Sequence, residues 1–255
     1  MRTLVMIPTY NERENVESIV GRVRAATPDV VVLIIDDNSP DGTGAIADGL
    51  AQSDPSVHVL HRAGKEGLGA AYRAGMRWGL DSGFECLVEM DADGSHQPEQ
   101  LHRLLERVRG TDAARADVVL GSRWVPGGAV ENWPTRRRLL SRGGSFYART
   151  ALGVSIRDVT GGYRAFTAEA LERIEFDEVL SQGYCFQIDM VRRAQAAGLR
   201  VDEVPITFVE RQLGASKMTG SIVSEAMWRV TVWGFQGLST RWTRKPRIVE
   251  FAEKK

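Results

Sequence analysis

Asp91 and Asp93 flank a single alanine, Ala92, directly after the apolar run Cys86-Leu87-Val88 and just before Gly94. The run reads as a buried strand, so both carboxylates fall where strand gives way to loop. Carboxylates this close repel each other unless a cation lies between them. An all-oxygen pair suits Mg²⁺ or Mn²⁺, ions commonly shared with the phosphates of a substrate. Ser95 and His96 follow closely, although a lone His near a helix start is more often structural.

Other segments carry chemistry of the same kind. Pro8-Thr9-Tyr10-Asn11-Glu12 follows a first apolar run. Tyr10 can stack on a nucleobase and Glu12 can accept hydrogen bonds from a ribose or base; the same string also makes an ordinary strand-to-helix turn with Asn11 near the N-cap. Asp37 ends a second run, where an acidic residue often meets a ribose in doubly wound folds. Asp36-Asp37-Asn38-Ser39 equally suits an Asx turn. Arg123, in Gly121-Ser122-Arg123, can pair with a phosphate through two parallel hydrogen bonds. Arg136, Arg137, Arg138 and Arg142 gather around Ser141, a pattern found on solvated faces as well as anion sites. Arg211 and Lys217 bracket a glycine-containing loop able to close over a diphosphate. Gly64 to Gly69 lacks the Gly-Lys-Ser/Thr ending of a phosphate loop, so a bound nucleotide would depend on carboxylates and a cation.

The elements that must hold these residues alternate. Strands are expected at Leu4–Ile7, Val30–Ile35, Val57–Leu60, Cys86–Met90 and Asp117–Leu120, with helices at Asn15–Ala25, from the Asp36–Gly42 loop to about Ala51, Leu68–Leu80 and Pro98–Val108. Such alternation predicts a mostly parallel sheet with helices on both faces. Ligands of such sheets bind outside the carboxyl ends of the strands, where Tyr10-Asn11-Glu12, Asp36-Asp37 and Asp91-Ala92-Asp93 all fall. In the second half, Gly127-Gly128, Gly143-Gly144 and Gly161-Gly162 predict turns. Tyr184–Ala197 predicts a helix stopped by Gly198, and Val201–Val209 an extended segment. Residues 1–220 are expected to form one domain, with 221–255 as an amphipathic helical extension.

Composition narrows the function classes. Lysine and arginine total 33, aspartate and glutamate also 33, which gives no general reason to expect nucleic-acid binding. Hydrophobic residues at 43% allow a sizeable core. Cys86 and Cys185 sit among apolar residues, as buried thiols in a reducing compartment would. No stretch has the length of a bilayer span or a secretion signal, so a cytoplasmic protein is expected. In the extension, Met227, Trp228, Val230 and Phe235 fill a broad apolar sector against Glu225, Arg229 and Gln236. Trp228, Trp233 and Trp242 lie near a basic tail of Arg241, Arg244, Lys245 and Arg247. This pattern suits a membrane interface, and also a packing or dimer helix.

Taken together, Ile7 to Glu12, Asp36 to Thr43, Asp91-Ala92-Asp93 with His96, Gly121-Ser122-Arg123, Gly161-Gly162-Tyr163-Arg164 and Arg211 to Lys217 resemble a family 2 glycosyltransferase of the polyprenol (dolichol) phosphate mannose synthase type. The resemblance runs from residue 7 to about 220. It implies a GT-A fold, GDP-mannose as donor, Mg²⁺ or Mn²⁺, and a polyprenyl phosphate acceptor attacked with inversion. It implies that Pro8, Tyr10, Glu12 and Asp37 hold the guanosine, with Ile35 also on the donor side. Asp91, Ala92 and Asp93 would serve the metal and the mannosyl diphosphate, and Arg211 and Lys217 the loop over the donor. Arg123 and Arg137, near Ser141, would meet the acceptor phosphate; Asp91, Asp93 and Arg123 are the expected catalytic set. Many relatives carry Gln where this chain has Ser95, which can still offer the metal an oxygen. The resemblance also turns the extension toward the membrane reading, a peripheral enzyme on the cytoplasmic face, with a separate anchoring subunit left open. The rivals are a polyprenol-phosphate glucosyltransferase using UDP-glucose, a non-catalytic subunit of a membrane complex, and a soluble enzyme acting on polysaccharide.

Overall fold

The sequence begins its sheet with Thr3–Thr9 (β1), whose apolar residues Leu4 to Ile7 are wholly buried. Successive side chains of a strand face opposite ways. Leu4 and Met6 therefore enter one core with Leu33, Ile35, Tyr72 and Met76, while Val5 and Ile7 enter the other with Val16, Ile19, Ile34 and Leu104. A strand buried on both faces is continuously apolar, which is why the early strands are legible in the sequence. The computed structural model describes residues 1–110, 115–181, 183–211 and 227–235.

Val31–Asp36 (β2), Val57–His61 (β3), Cys86–Glu89 (β4) and Val118–Ser122 (β5) follow, separated by helices Val16–Ala26 (α1), Thr43–Ser53 (α2), Leu68–Asp81 (α3) and Leu101–Arg109 (α4). α1 buries Val16, Ile19, Val20 and Val23, the helical spacing of one face. A small sheet pairs Ala129–Glu131 (β6) with Thr207–Val209 (β9). Between lie helices Thr135–Leu152 (α5), Ala168–Ile174 (α6) and Tyr184–Ala196 (α7), and strands Arg164–Thr167 (β7) and Val201–Pro205 (β8). The large sheet runs β3-β2-β1-β4-β7-β5-β8.

Register sets where the loops meet. Thr9 lies opposite Asp36, and Met6 opposite Glu89, so the carboxyl ends of β1, β2 and β4 open on one edge. β7 runs antiparallel between β4 and β5, placing Arg164 beside both Glu89 and Leu120 at that edge.

The second half departs from expectation in three places. Gly143-Gly144 is no turn: α5 runs through it and ends at Gly153, whose φ is +66°. Interior glycine costs a helix about 1 kcal/mol each, and packing of Ala148, Tyr147, Ala151 and Leu152 on the core offsets that here. Val201–Val209 is not one segment; β8 joins the large sheet and β9 the small one. β7 was not expected, because it opens with a fully buried arginine instead of an apolar residue.

α3 lies close against the sheet at Gly75, where a Cβ would stand 2.5 Å from Ile35 Cδ1 and 3.1 Å from Met6 Sδ. Gly75→Val is expected to lower stability by about 1–3 kcal/mol through overpacking, read as a lower denaturant midpoint at unchanged slope. Cys86 and Cys185 are buried thiols. Among the described residues no helix is long and apolar enough to cross a membrane.

Candidate active site

The β1 and β2 loops are tied to each other. Asn11 and Asn38 both take the left-handed conformation, with φ of 57° and 58°, which asparagine tolerates better than most residues. The Asn11 N–H donates to Ser39 Oγ (3.1 Å), the Glu12 N–H to Thr43 Oγ1 (3.0 Å) and the Arg13 N–H to Asp41 Oδ2 (3.2 Å). Glu12 is buried; its carbonyl accepts from the N–H groups of Asn15 and Val16, and its carboxylate from Asn15 Nδ2 (2.8 Å). Tyr10 and the partly buried Pro8 stand at this rim, with Lys65 Nζ 4.4 Å from the Tyr10 ring centre.

The adjacent acids of the second loop divide their work. Asp36 makes the turn, accepting from Ser39 Oγ (2.6 Å) and the Ser39 N–H (3.2 Å). Asp37 is held by Arg62, whose Nη1 donates to Oδ1 at 2.5 Å while Nη2 reaches Glu66 at 2.6 Å. Burial raises the Asp37 pKa, opposed by Arg62. Ile35 departs from its expected place on the donor side: the residue is fully buried, its side chain packs in the core against Gly75, and its carbonyl accepts from Thr9 Oγ1 (3.3 Å).

Beyond β4, Asp91 and Asp93 sit in unlike surroundings. The Asp91 N–H donates to His96 Nδ1 (3.1 Å), which leaves the hydrogen on Nε2, 3.9 Å from Asp91 Oδ2. Tyr72 donates to Asp91 Oδ1 at a long 3.5 Å. His96 is itself buried, stacked on Tyr163 at 4.9 Å, and burial lowers its pKa against the pull of both aspartates. Burial raises the pKa of Asp91, and the neighbouring Asp93 carboxylate adds to that while His96 opposes it. For Asp93 burial acts upward too, but hydrogen bonding from Ser95 and the charge of Arg211 outweigh it and the pKa is lowered. The Ser95 N–H donates to Asp93 Oδ1 (3.0 Å), and Arg211 Nη2 lies 2.9 Å from Oδ2. Ser95 Oγ is buried without a hydrogen-bond partner among the described residues.

Behind this pair is a buried charge network. Glu89 accepts from Gln187 Nε2 (2.9 Å), and burial pushes its pKa up to about 7. Arg164 donates to the carbonyls of Gly161, Gln187 and Val159 at 2.7–2.8 Å. That cage fixes the Gly161-Gly162 loop, which passes 3.9 Å from Asp91 when measured from a Cβ placed on Gly162.

Arg123 is buried in a two-point ion pair: Nε and Nη2 each donate to Asp158 at 2.7 Å, and Nη2 also to Thr160 at 3.1 Å. The Asp158 charge outweighs burial and raises the arginine's pKa. Trp124, Trp133 and Phe208 surround its guanidinium at 5.3–5.5 Å. Arg137 lies 4.3 Å from the Trp133 ring centre and pairs with Glu210. Ser141 is half-buried one helical turn further along α5. One edge of the molecule thus gathers Tyr10, Glu12, Asp37, Asp91, Asp93, Arg123 and Arg211. Lys217 and the rest of the loop after Arg211 lie outside the described residues.

Sequence reading missed Asp158, Trp133 and Glu210, whose roles rest on contacts remote in the chain. Asp158 lies 35 residues from Arg123 and Glu210 73 from Arg137. The available signal was an acid three residues before Gly161-Gly162.

Residues 4–175 match the model of glycosyl transferase family 2. The chain belongs to that family. Among family 2 relatives, polyprenol monophosphomannose synthase of Mycolicibacterium smegmatis is 60% identical over 237 residues, 92% of this chain and 88% of the relative. Undecaprenyl-phosphate mannosyltransferase of Micrococcus luteus is 57% identical over 242 residues, 95% and 96% of the two chains. The fold is shared with a mannosyltransferase of Pyrobaculum calidifontis in complex with GDP-Man and Mn²⁺ (TM-score 0.57, 16% identity, 96% of this chain and 76% of that one). It is shared too with glucosyl-3-phosphoglycerate synthase of Mycobacterium tuberculosis (TM-score 0.63, 17% identity, 96% and 81%). These likenesses bear out the α/β GT-A architecture expected of a family 2 chain.

Proposed function

We propose that this family 2 glycosyltransferase moves mannose from GDP-mannose to a polyprenyl phosphate with inversion, releasing GDP. The observation that carries the reading is the near-full-length likeness to two bacterial enzymes named for that kind of transfer. The site is of the right chemistry. Tyr10, Glu12 and Asp37 line the rim expected to take the guanosine. Asp91, Asp93 and the unpartnered Ser95 hydroxyl form an oxygen donor set suited to Mg²⁺ or Mn²⁺. Among the described residues no three His, Cys, Asp or Glu side chains converge to hold a metal alone. Asp91, Asp93 and Ser95 would hold the cation, which would supply positive charge to offset that of the diphosphate leaving group.

The chain's own residues supply the rest. Arg211, 2.9 Å from Asp93, would meet the diphosphate beside the carboxylate pair, and Lys217 would join it. An ionised lipid phosphate needs positioning more than deprotonation. Arg123 can offer Nη1, which no described residue holds, while Asp158 fixes the rest of its guanidinium. Arg137, beside Ser141, can exchange Glu210 for the acceptor phosphate. A lipid acceptor supports action at a membrane surface; in this reading the enzyme sits there peripherally, on the cytoplasmic face, with residues 1–220 as catalytic domain and 221–255 as an attaching extension. Most of that extension, including Glu225, Gln236 and Trp242, lies outside the described residues.

The deciding experiment incubates the purified chain with labelled GDP-mannose, a short polyprenyl phosphate and Mg²⁺ or Mn²⁺. Chelator-sensitive mannolipid is expected; product formed only from UDP-glucose would replace this reading with the glucosyltransferase one.

A further inference from the structure

Trp133 stands by both of the arginines read as acceptor groups. Its ring centre lies 4.3 Å from the guanidinium carbon of Arg137 and 5.3 Å from that of Arg123. Each arginine has an acid of its own, Glu210 for Arg137 and Asp158 for Arg123. Trp133 is a ring that the two cations share.

The backbone fixes where this indole goes. β6 ends at Glu131, Asn132 takes the left-handed conformation with φ of 61°, and Pro134 is the N-cap of α5. Proline disfavours helical backbone in the residue before it, which keeps Trp133 out of the helix. Neighbouring rings fix its tilt. Phe208 packs against Trp133 at 5.3 Å and 72°, and Trp124 at 6.4 Å and 65°. Such edge-to-face contacts are a favoured aromatic geometry. Phe208 is set in turn by β9, in register with Val130 of β6.

A guanidinium donates hydrogen bonds in its plane and meets a ring through its face. The two kinds of contact do not compete. Glu210 does compete with a phosphate, because it occupies a donor of Arg137. Once that donor is released, a long arginine side chain regains rotamer freedom that the incoming phosphate must remove again. A second carboxylate could hold the arginine, but it would cancel the charge that attracts the phosphate. An indole holds the cation and leaves its charge whole.

We propose that Trp133 is a positioning residue of the acceptor site: its ring keeps Arg137 beside Arg123 after Glu210 lets go, so that both arginines present in-plane donors to one phosphate. This rests on the reading that the acceptor is a lipid phosphate, and it adds the group that sets the two arginines before that phosphate arrives. Tryptophan attracts a cation more strongly than phenylalanine, and an aliphatic side chain has no ring face to offer. Acceptor affinity should therefore follow the same order at position 133.

The test varies a short polyprenyl phosphate at saturating GDP-mannose and Mn²⁺, and measures binding of the same lipid to the full chain by calorimetry without donor. Trp133→Leu is expected to raise both the KM and the Kd for polyprenyl phosphate on the order of tenfold. Its KM for GDP-mannose should stay at the parent value. Trp133→Phe should fall between parent and Trp133→Leu. In an Arg137→Ala chain, which has already lost the cation that Trp133 holds most closely, adding Trp133→Leu should cost clearly less than it does alone. Parental lipid binding in Trp133→Leu overturns the proposal, as do equal losses with and without Arg137. Trp133→Phe as poor as Trp133→Leu, or affinity lost for donor and lipid alike, marks a merely structural ring and overturns it too. A parent chain whose lipid-phosphate binding depends on Trp133 but which transfers no mannose would sink the assigned reaction and leave the positioning role standing.

Discussion

Asp91→Asn is expected to cut mannosyl transfer on the order of 10³-fold, the scale of losing a principal electrostatic contact to the leaving group. The amide preserves shape but removes an anionic oxygen from the metal's donor set. The fold should not suffer. Burial raises the Asp91 pKa, with the Asp93 carboxylate adding to it, so ionisation is less favourable in the folded chain than in the unfolded one. An acid with a raised folded pKa loses stability as pH climbs from its unfolded value toward the folded one. Asparagine removes that loss, and the melting temperature at neutral pH should hold or rise. Asp93→Asn separates the effects. Its pKa is lowered, with Ser95 and Arg211 outweighing burial, so its carboxylate contributes stability above the unfolded pKa that is lost as pH falls through the folded one. Asp93→Asn should therefore lose activity and stability together. Product formation, Mn²⁺ affinity by electron paramagnetic resonance and thermal melts check all of this; an Asp91→Asn enzyme within tenfold of the parent would remove the carboxylate pair from the mechanism.

The first five strands and the edge where they open were legible because each signal is local. Leu4–Ile7 and Val32–Ile35 are unbroken apolar runs, and parallel pairing then forces Thr9, Asp36 and Glu89 to one edge. The aspartate pair was legible for the same reason, since a strand end determines where both carboxylates go. What stayed hidden depends on pairing across the chain. Nothing near Arg164 announces that three carbonyls and Glu89 will bury it, so β7 carries no local strand signal. The Gly143-Gly144 pair reads as a turn because helix propensity is local, whereas the packing of Tyr147, Ala148, Ala151 and Leu152 that carries α5 through it is not. Ile35 belongs to the right strand, but its side chain points to the core on the α3 side.

Removing Asp158 is expected to give the largest loss of stability. Arg123 is 7% exposed and Asp158 is fully buried, and their two-point bond satisfies both. Asp158→Ala leaves a buried guanidinium without its counter-ion, which costs about 3–5 kcal/mol. At this chain length that corresponds to a melting temperature lower by roughly 10 °C. Trp124, Trp133 and Phe208 stand over the same guanidinium at 5.3–5.5 Å, but ring faces offer it no counter-charge and no in-plane hydrogen-bond acceptors, so they cannot replace a carboxylate. The double change Arg123→Leu with Asp158→Leu removes both charges, and such replacements are often close to neutral. It should recover most of the lost melting temperature. Transfer should not recover with it if Arg123 Nη1 meets the acceptor phosphate, and the deficit should appear chiefly as a raised KM for polyprenyl phosphate. A double variant that regains both stability and parental kinetics would reduce Arg123 to a structural partner of Asp158 and leave Arg137 to position the acceptor.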